Sequence, residues 1–374
     1  MLRGALYSSD GQDLKVSVER TEVLLKSDEI LNFPRIIELE GDRLVLAYGK
    51  GRHKGAETRP VAVSEDFGRT WTDSPPGFPM ADNVQTSGIL GYMRDDTLAY
   101  IDVFPVNAGW SQAKGPYHQV AKVEDPLFRL RRFSGMGELL ADDTFKVHGI
   151  PWRLASYELY GTLLTLENGD LLTAFGGQVG ATSASHKSFI VRSEDGGESF
   201  EFVTAFGYEA EDGDGGDQVY AEADLEVLAN GDILCMMRTG SHTPMHQSRS
   251  TDGGLTWSEP VSIGWPGVKP HLRLLSNGVL ACSSGRGAYG HPQVTYVMFS
   301  IDGTGEKWEY PFSFHTGPGC SYTSNMERHG KLYVAYSHSS FTEPSSAYKL
   351  PYHSIKWVVI DAALSASAQT GRST

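Results

Sequence analysis

The chain has 374 residues, with 42 Gly, 18 Pro and 40 aromatic residues, and a formal charge of −14. That charge argues against nucleic acid or an anionic membrane as the main partner. No run approaches the roughly 20 apolar residues of a membrane span.

The length allows two ordinary domains or one large repeat fold. The Gly, Pro and aromatic content suits many short strands joined by turns, and no window carries a long helical period. Cys235, Cys282 and Cys320 are an odd number without metal-type spacing, and each lies in or beside an apolar strand-like segment, so buried thiols are expected. Neither a metal nor another cofactor is expected. The N-terminus lacks the apolar core of a signal peptide, which makes a cytoplasmic protein the expectation, or a secreted one if a leader has been removed.

In chain order, Thr21–Leu25 reads as a strand. Ile36–Tyr48 reads as two apolar strands around a turn at Gly41. Ser64-Glu65-Asp66-Phe67-Gly68-Arg69-Thr70-Trp71 follows, with the frame Ser-x-Asp-x-Gly-x-Thr-Trp. Its Asp carboxylate can accept bonds from the turn's own N–H groups, its Gly supplies positive φ, and its Trp folds back as an apolar plug. A weaker strand pair surrounds Asp95-Asp96, and residues 104–117 read as a long loop. The frame returns at Ser193–Phe200 and Ser250–Trp257, and, stretched by one residue, at Ser300–Trp308. The intervals Asp66–Asp195, Asp195–Asp252 and Asp252–Asp302 are 129, 57 and 50 residues. The first is about twice the others, so a degenerate turn belongs inside it, and Phe133-Ser134-Gly135-Met136-Gly137 fits. Strand–Gly turn–strand patterns recur at Gly169, Gly231, Gly278 and Gly330. The spaced acids between Glu209 and Asp217 do not follow the EF-hand pattern and read as a solvated loop.

Repeats of this size define an internally repeated fold. Six four-stranded antiparallel units predict an all-β, six-bladed β-propeller in one domain. The blades fall roughly at 33–75, 86–150, 158–205, 220–262, 268–314 and 320–364, with residues 13–27 closing the ring. A β-sandwich needs no such repeat, and β-helix coils are shorter.

The recurring turn resembles that of the Asp-box (BNR-repeat) proteins, and six blades with it resemble the sialidase (neuraminidase) superfamily over nearly the whole chain. In that family the turn lies away from catalysis, so it speaks for fold rather than chemistry. The resemblance implies three arginines for a substrate carboxylate, a Tyr nucleophile with a Glu partner, and a carboxylic acid/base. Arg35, in Phe33-Pro34-Arg35-Ile36, resembles the first arginine, and a guanidinium suits an acidic sugar. Glu222, opening Glu222–Val227, matches the Glu. Asp224 is its rival, because side chains two apart share a strand face. Arg238, after the apolar run Ile233–Met237, matches the second arginine. Tyr322, in Cys320-Ser321-Tyr322-Thr323, matches the nucleophile, although 17 Tyr residues make an ordinary strand Tyr a real competitor. No Arg precedes Val294–Val297 where the third would stand, and Arg286 is the nearest candidate. No Asp stands at the acid/base place, where Glu57 and His53 remain. Gln178, His242, His271 and His338 fall at strand ends on the same side.

The expected function is that of a retaining exo-glycosidase acting on a terminal acidic sugar of an oligosaccharide or glycoconjugate. Two alternatives stand beside it: another carbohydrate-active enzyme, such as a uronic-acid lyase or a hydrolase of a different sugar, and a glycan-binding propeller without catalysis.

Overall fold

The computed structural model describes residues 5–9, 12–51, 60–73, 75, 77–80, 88–103, 127–151, 154–179, 186–206, 220–240, 243–285, 294–309, 311–339 and 350–365. The chain is an all-β propeller of six antiparallel blades. Blade 1 runs Leu31–Glu38, Leu44–Lys50, Val61–Ser64 and Thr72–Asp73 from the inside outwards. Blades 2 to 5 begin their inner strands at Ile89, Leu154, Ala221 and Val268. Blade 6 has Thr323–Arg328, Lys331–His338 and His353–Leu364, and takes its next strand from the N-terminus. That strand, Gln12–Ser27, pairs antiparallel with His353–Leu364 from Leu14↔Leu364 to Ser27↔His353. This is why blade 6 carries no Asp turn: its third strand is not joined to a fourth.

Six apolar clusters hold the ring, one at each seam between neighbouring blades. Leu159, Phe175 and Phe189 meet Ile101 and Phe128 at the blade 2–3 seam. Trp357 and Tyr333 meet Leu44 and Tyr48 where blade 6 closes on blade 1. Alternation along strands produces these clusters: on the inner strand of blade 4, Ala223 and Leu225 pack toward blade 3, while residues 222, 224 and 226 face blade 5.

The turn between third and fourth strands repeats its chemistry. Asp252 Oδ1 accepts from Ser250 Oγ at 2.8 Å and Thr256 N at 2.9 Å, and Ser250 Oγ accepts from Gly254 N at 2.8 Å. Ser64/Asp66, Ser193/Asp195 and Ser300/Asp302 reproduce the Ser–Asp bond. The Thr256 hydroxyl and N–H pull the Asp252 carboxyl down to about 2, as Thr70 does for Asp66. In Phe133–Gly137, where Met136 replaces Asp, Ser134 Oγ still accepts from Met136 N and Glu138 N. The turn glycines also touch the preceding blade. A Cβ on Gly254, at φ 90°, would stand 2.6 Å from Leu172 of blade 3, and one on Gly305 2.8 Å from Leu234 of blade 4. Each turn is thus keyed to a seam, and a side chain there would push two blades apart.

Candidate active site

Because strands alternate in direction, every inner strand starts, and every second strand ends, at the end of the ring opposite those turns. Near that end each blade's innermost chain carries a residue in the left-handed region: Phe33, Gly88, Glu222, Lys269 and Ser321 close to the strand start, and Gly161 between the two inner pieces of blade 3, Leu154–Leu159 and Leu164–Thr165. In blades 1, 4 and 5 the reason is a β-bulge in one register. Phe33-Pro34 fall between Asn32↔Gly49 and Arg35↔Ala47, Glu222-Ala223 between Ala221↔Arg238 and Asp224↔Met236, and Lys269-Pro270 between Val268↔Gly285 and His271↔Ser283. A bulge leaves a residue without its ladder bond, which makes room for Pro34 and Pro270. Phe33, Glu222 and Lys269 at φ 40–50° hold strained backbone, and such strain gathers at functional sites.

Glu222 is the hub. Its Oε1 accepts from the Tyr322 hydroxyl and from Arg238 Nη1 at 2.9 Å, and its Oε2 accepts from Lys269 N at 2.9 Å. These donors reach it from blades 6, 4 and 5. Tyr322 is flanked by Phe33, with ring centroids 4.8 Å apart and edge to face, and by Tyr160 at 6.3 Å. Arg238 also donates Nε–H to Gly240 O at 3.0 Å and remains one-fifth exposed.

Burial works to raise the Glu222 carboxyl. The Arg238 charge, the Tyr322 hydroxyl and the Lys269 N–H outweigh it and hold the group below its ordinary value. Burial and the Glu222 charge hold the Tyr322 phenol well above its own. At rest the pair is therefore a neutral phenol on a carboxylate. Ordinary values already separate the two acids by about 6 pH units, or ~8 kcal/mol, and both shifts widen the gap. A standing phenolate is excluded, so the proton can pass to Glu222 only as Tyr322 Oη bonds to an electrophile.

Asp224, the rival of Glu222, lies deeper. Its carboxylate accepts from Thr162 Oγ1 at 2.8 Å and Leu272 N at 2.7 Å, tying blades 3, 4 and 5, and burial raises it above its ordinary value. One turn of the alternation further, Glu226 accepts from Leu274 N at 3.1 Å, and burial pushes it up to about 7. Three carboxylates on one strand face thus substitute for ladder partners between blades 4 and 5.

Arg35 is almost fully buried. Its Nη1 donates to Gly88 O and its Nη2 to Gly161 O at 2.8 Å. Both terminal nitrogens are therefore engaged with the inner strands of blades 2 and 3, each through one of its two N–H groups, which fixes the guanidinium between them. His271 accepts at Nδ1 from Asn325 N at 2.6 Å, which leaves Nε2 to carry the proton of the neutral ring, and burial keeps it neutral. His338 meets Lys356 Nζ at 3.2 Å and stacks near His315, apart from the Glu222 contacts. Glu57, His53, Arg286, His242, the side chain of Gln178, and the loops 104–117 and 209–217 lie outside the described residues. The structure therefore brings together Tyr322, Glu222 and Arg238, and adds Phe33, Tyr160 and Lys269, which the sequence reading did not single out. Lys269 had a signal: it precedes Pro270 as Phe33 precedes Pro34, at the start of an inner strand.

Fold and site together define a six-bladed propeller with a Tyr–Glu–Arg cluster at its mouth. A structure from Dyadobacter fermentans, of unknown function, superposes with a TM-score of 0.69 at 16% identity, covering 93% of this chain and 99% of that one. A Hadza microbial sialidase gives 0.59 at 17%, covering 91% of this chain and 66% of that one. The leech intramolecular trans-sialidase, complexed with 2,7-anhydro-Neu5Ac, gives 0.59 at 14%, covering 96% and 71%. The chain thus spans about two thirds of these two sialidases. No family model matches the chain, and no curated protein matches it in sequence.

Proposed function

We propose that the protein is a retaining exo-glycosidase of the sialidase type that releases a terminal acidic sugar from a glycan. The observation that carries this reading is the Tyr322 hydroxyl donating to the Glu222 carboxylate, with Arg238 on the same oxygen. Tyr322 Oη bonds to the anomeric carbon as the glycosidic C–O bond breaks, and its proton passes to Glu222. A neutral phenol is a fitting nucleophile where the sugar's carboxylate would repel a charged one. Water then cleaves the aryl glycoside, losing a proton to the group that had protonated the leaving oxygen, and Glu222 returns its own proton to Tyr322. Arg238, still partly exposed, offers a guanidinium to the sugar carboxylate. The leaving oxygen takes its proton from Glu57 or His53 in this proposal.

The test is release of the aryl alcohol from an aryl α-sialoside by purified protein, with Tyr322→Phe as control. Turnover that disappears in the variant supports the reading. No release by wild type, together with no binding of a dehydrated sialic acid, contradicts it. The lack of an Arg before Val294–Val297, where a third carboxylate-holding arginine would stand, favours one second reading, a propeller enzyme for another acidic sugar, which would show as an unsaturated, ultraviolet-absorbing product from a uronate polysaccharide.

A further inference from the structure

Lys269 is the residue at this mouth that the reaction above does not use. Its backbone N–H is held by Glu222 Oε2, but among the described residues its ammonium has no hydrogen-bond acceptor. The residue is 94% buried, at 6% exposure. It sits on the blade 5 bulge in the register that Glu222 occupies in blade 4, so one backbone device aims both side chains.

Facing Lys269 are Glu222 and Asp224 of blade 4, Arg35 of blade 1, His271 of its own strand and the Cys320 thiol of blade 6. His271 is neutral, and burial keeps the Cys320 thiol protonated. Arg238 is paired with Glu222, and Lys269 shares the remaining space with Arg35 and Asp224. Both carboxylates are already occupied, Glu222 by Tyr322, Arg238 and Lys269 N, and Asp224 by Thr162 and Leu272 N. An ammonium so placed, attracted to Glu222 and Asp224 but bonded to neither, is open to an anion that reaches it.

We propose that Lys269 is the anion-holding residue of this site, its ammonium receiving the carboxylate of an acidic sugar beside Tyr322 and Glu222. The assignment rests on the reading of this mouth as an acidic-sugar site. It explains why a lysine stands where blade 6 has Ser321 and blade 1 has Phe33. It also agrees with the effect of burial, helped by the Arg35 charge, which pushes the Lys269 amine down to about 8 in the unliganded protein.

The experiment titrates the full chain by calorimetry with N-acetylneuraminate, D-glucuronate and neutral N-acetylglucosamine, using wild type, Lys269→Met and Lys269→Arg, with thermal unfolding of each. Lys269→Met should lose at least tenfold in affinity for whichever acid wild type binds, and Lys269→Arg should recover part of it. Lys269→Met should also melt higher than wild type, because an unmatched buried charge is gone. A lysine kept for structure would lower the melting temperature instead, and that result overturns the proposal. Wild-type affinity should also fall about tenfold per pH unit as pH rises above about 8, a readout that needs no variant. Unchanged affinity across that range overturns the proposal. Loss of glucuronate binding in Lys269→Met, where wild type ignores neuraminate, supports Lys269 and removes the sialic acid reading. Undiminished neuraminate binding in Lys269→Met does the reverse. A wild type that binds neither acid overturns both.

Discussion

The two ends of the blades carry the same backbone from unit to unit but treat their side chains in opposite ways. At one end, Ser64/Asp66, Ser193/Asp195, Ser250/Asp252 and Ser300/Asp302 repeat both the residues and the hydrogen bonds. At the other, each blade's innermost chain carries a positive-φ residue, yet Phe33, Gly88, Gly161, Glu222, Lys269 and Ser321 are chemically diverse. The first end solves a problem that every blade shares, so one answer is copied. The second surrounds a single central space, where each blade contributes something different. Gly88 and Gly161 mark the two blades without room for a side chain: a Cβ would stand 2.4 Å from the Tyr100 ring and 2.4 Å from Ala223 O respectively. Their carbonyls hold Arg35 instead.

If this division is real, substitutions at the two ends should separate cleanly. Glu222→Gln, and at least as strongly Tyr322→Phe, should reduce turnover of an aryl glycoside by about 10²–10⁴-fold, and Tyr322→Phe, which breaks no ion pair, should leave unfolding nearly unchanged. Matching losses of stability and activity would instead make the pair structural. Gly161→Ala should cost about 3 kcal/mol in denaturant unfolding, since it forces a side chain into φ 92° and onto a carbonyl. Arg238→Met removes the main charge opposing the burial of Glu222, so the Glu222 carboxyl should rise. Activity needs Glu222 ionised, so the acid limb of the pH–rate profile should move to higher pH in this variant; a limb that stays put breaks the Arg238–Glu222 link. Smallest is Asp252→Ala at the turn end, expected to lower stability by about 1 kcal/mol with turnover intact. Asp252 lies below its unfolded value, so its contribution is present above about pH 4 and fades as pH falls toward about 2. The difference between wild type and Asp252→Ala should therefore shrink on acidification.

The same division sets what could be read from the chain. The turns are local: a carboxylate, a hydroxyl and a glycine a few residues apart determine one another, so their repeats announced the ring. Tyr322, Glu222 and Arg238 were legible through the resemblance of their segments to those of the sialidase superfamily, at strand ends of the blades that those turns mark out. What Arg35 touches was not, since Gly88 and Gly161 lie 53 and 126 residues away and offer only carbonyls. Glu222 and Asp224 were indistinguishable in sequence, as both fall on one face. Depth separates them, with Asp224 held by Thr162 and Leu272 and only Glu222 reached by Tyr322. Lys269 escaped notice because a lysine among apolar residues reads as a surface strand end until the bulges of blades 1, 4 and 5 are laid over one another.

The most direct test is chemical trapping of the nucleophile. The protein is incubated with a 2,3-difluorinated sialic acid, digested, and mapped by mass spectrometry. The account predicts one added glycosyl group on the peptide bearing Tyr322, absent from Tyr322→Phe and from protein pre-incubated with a dehydrated sialic acid. An unlabelled protein, or a label carried by any other residue, would contradict it.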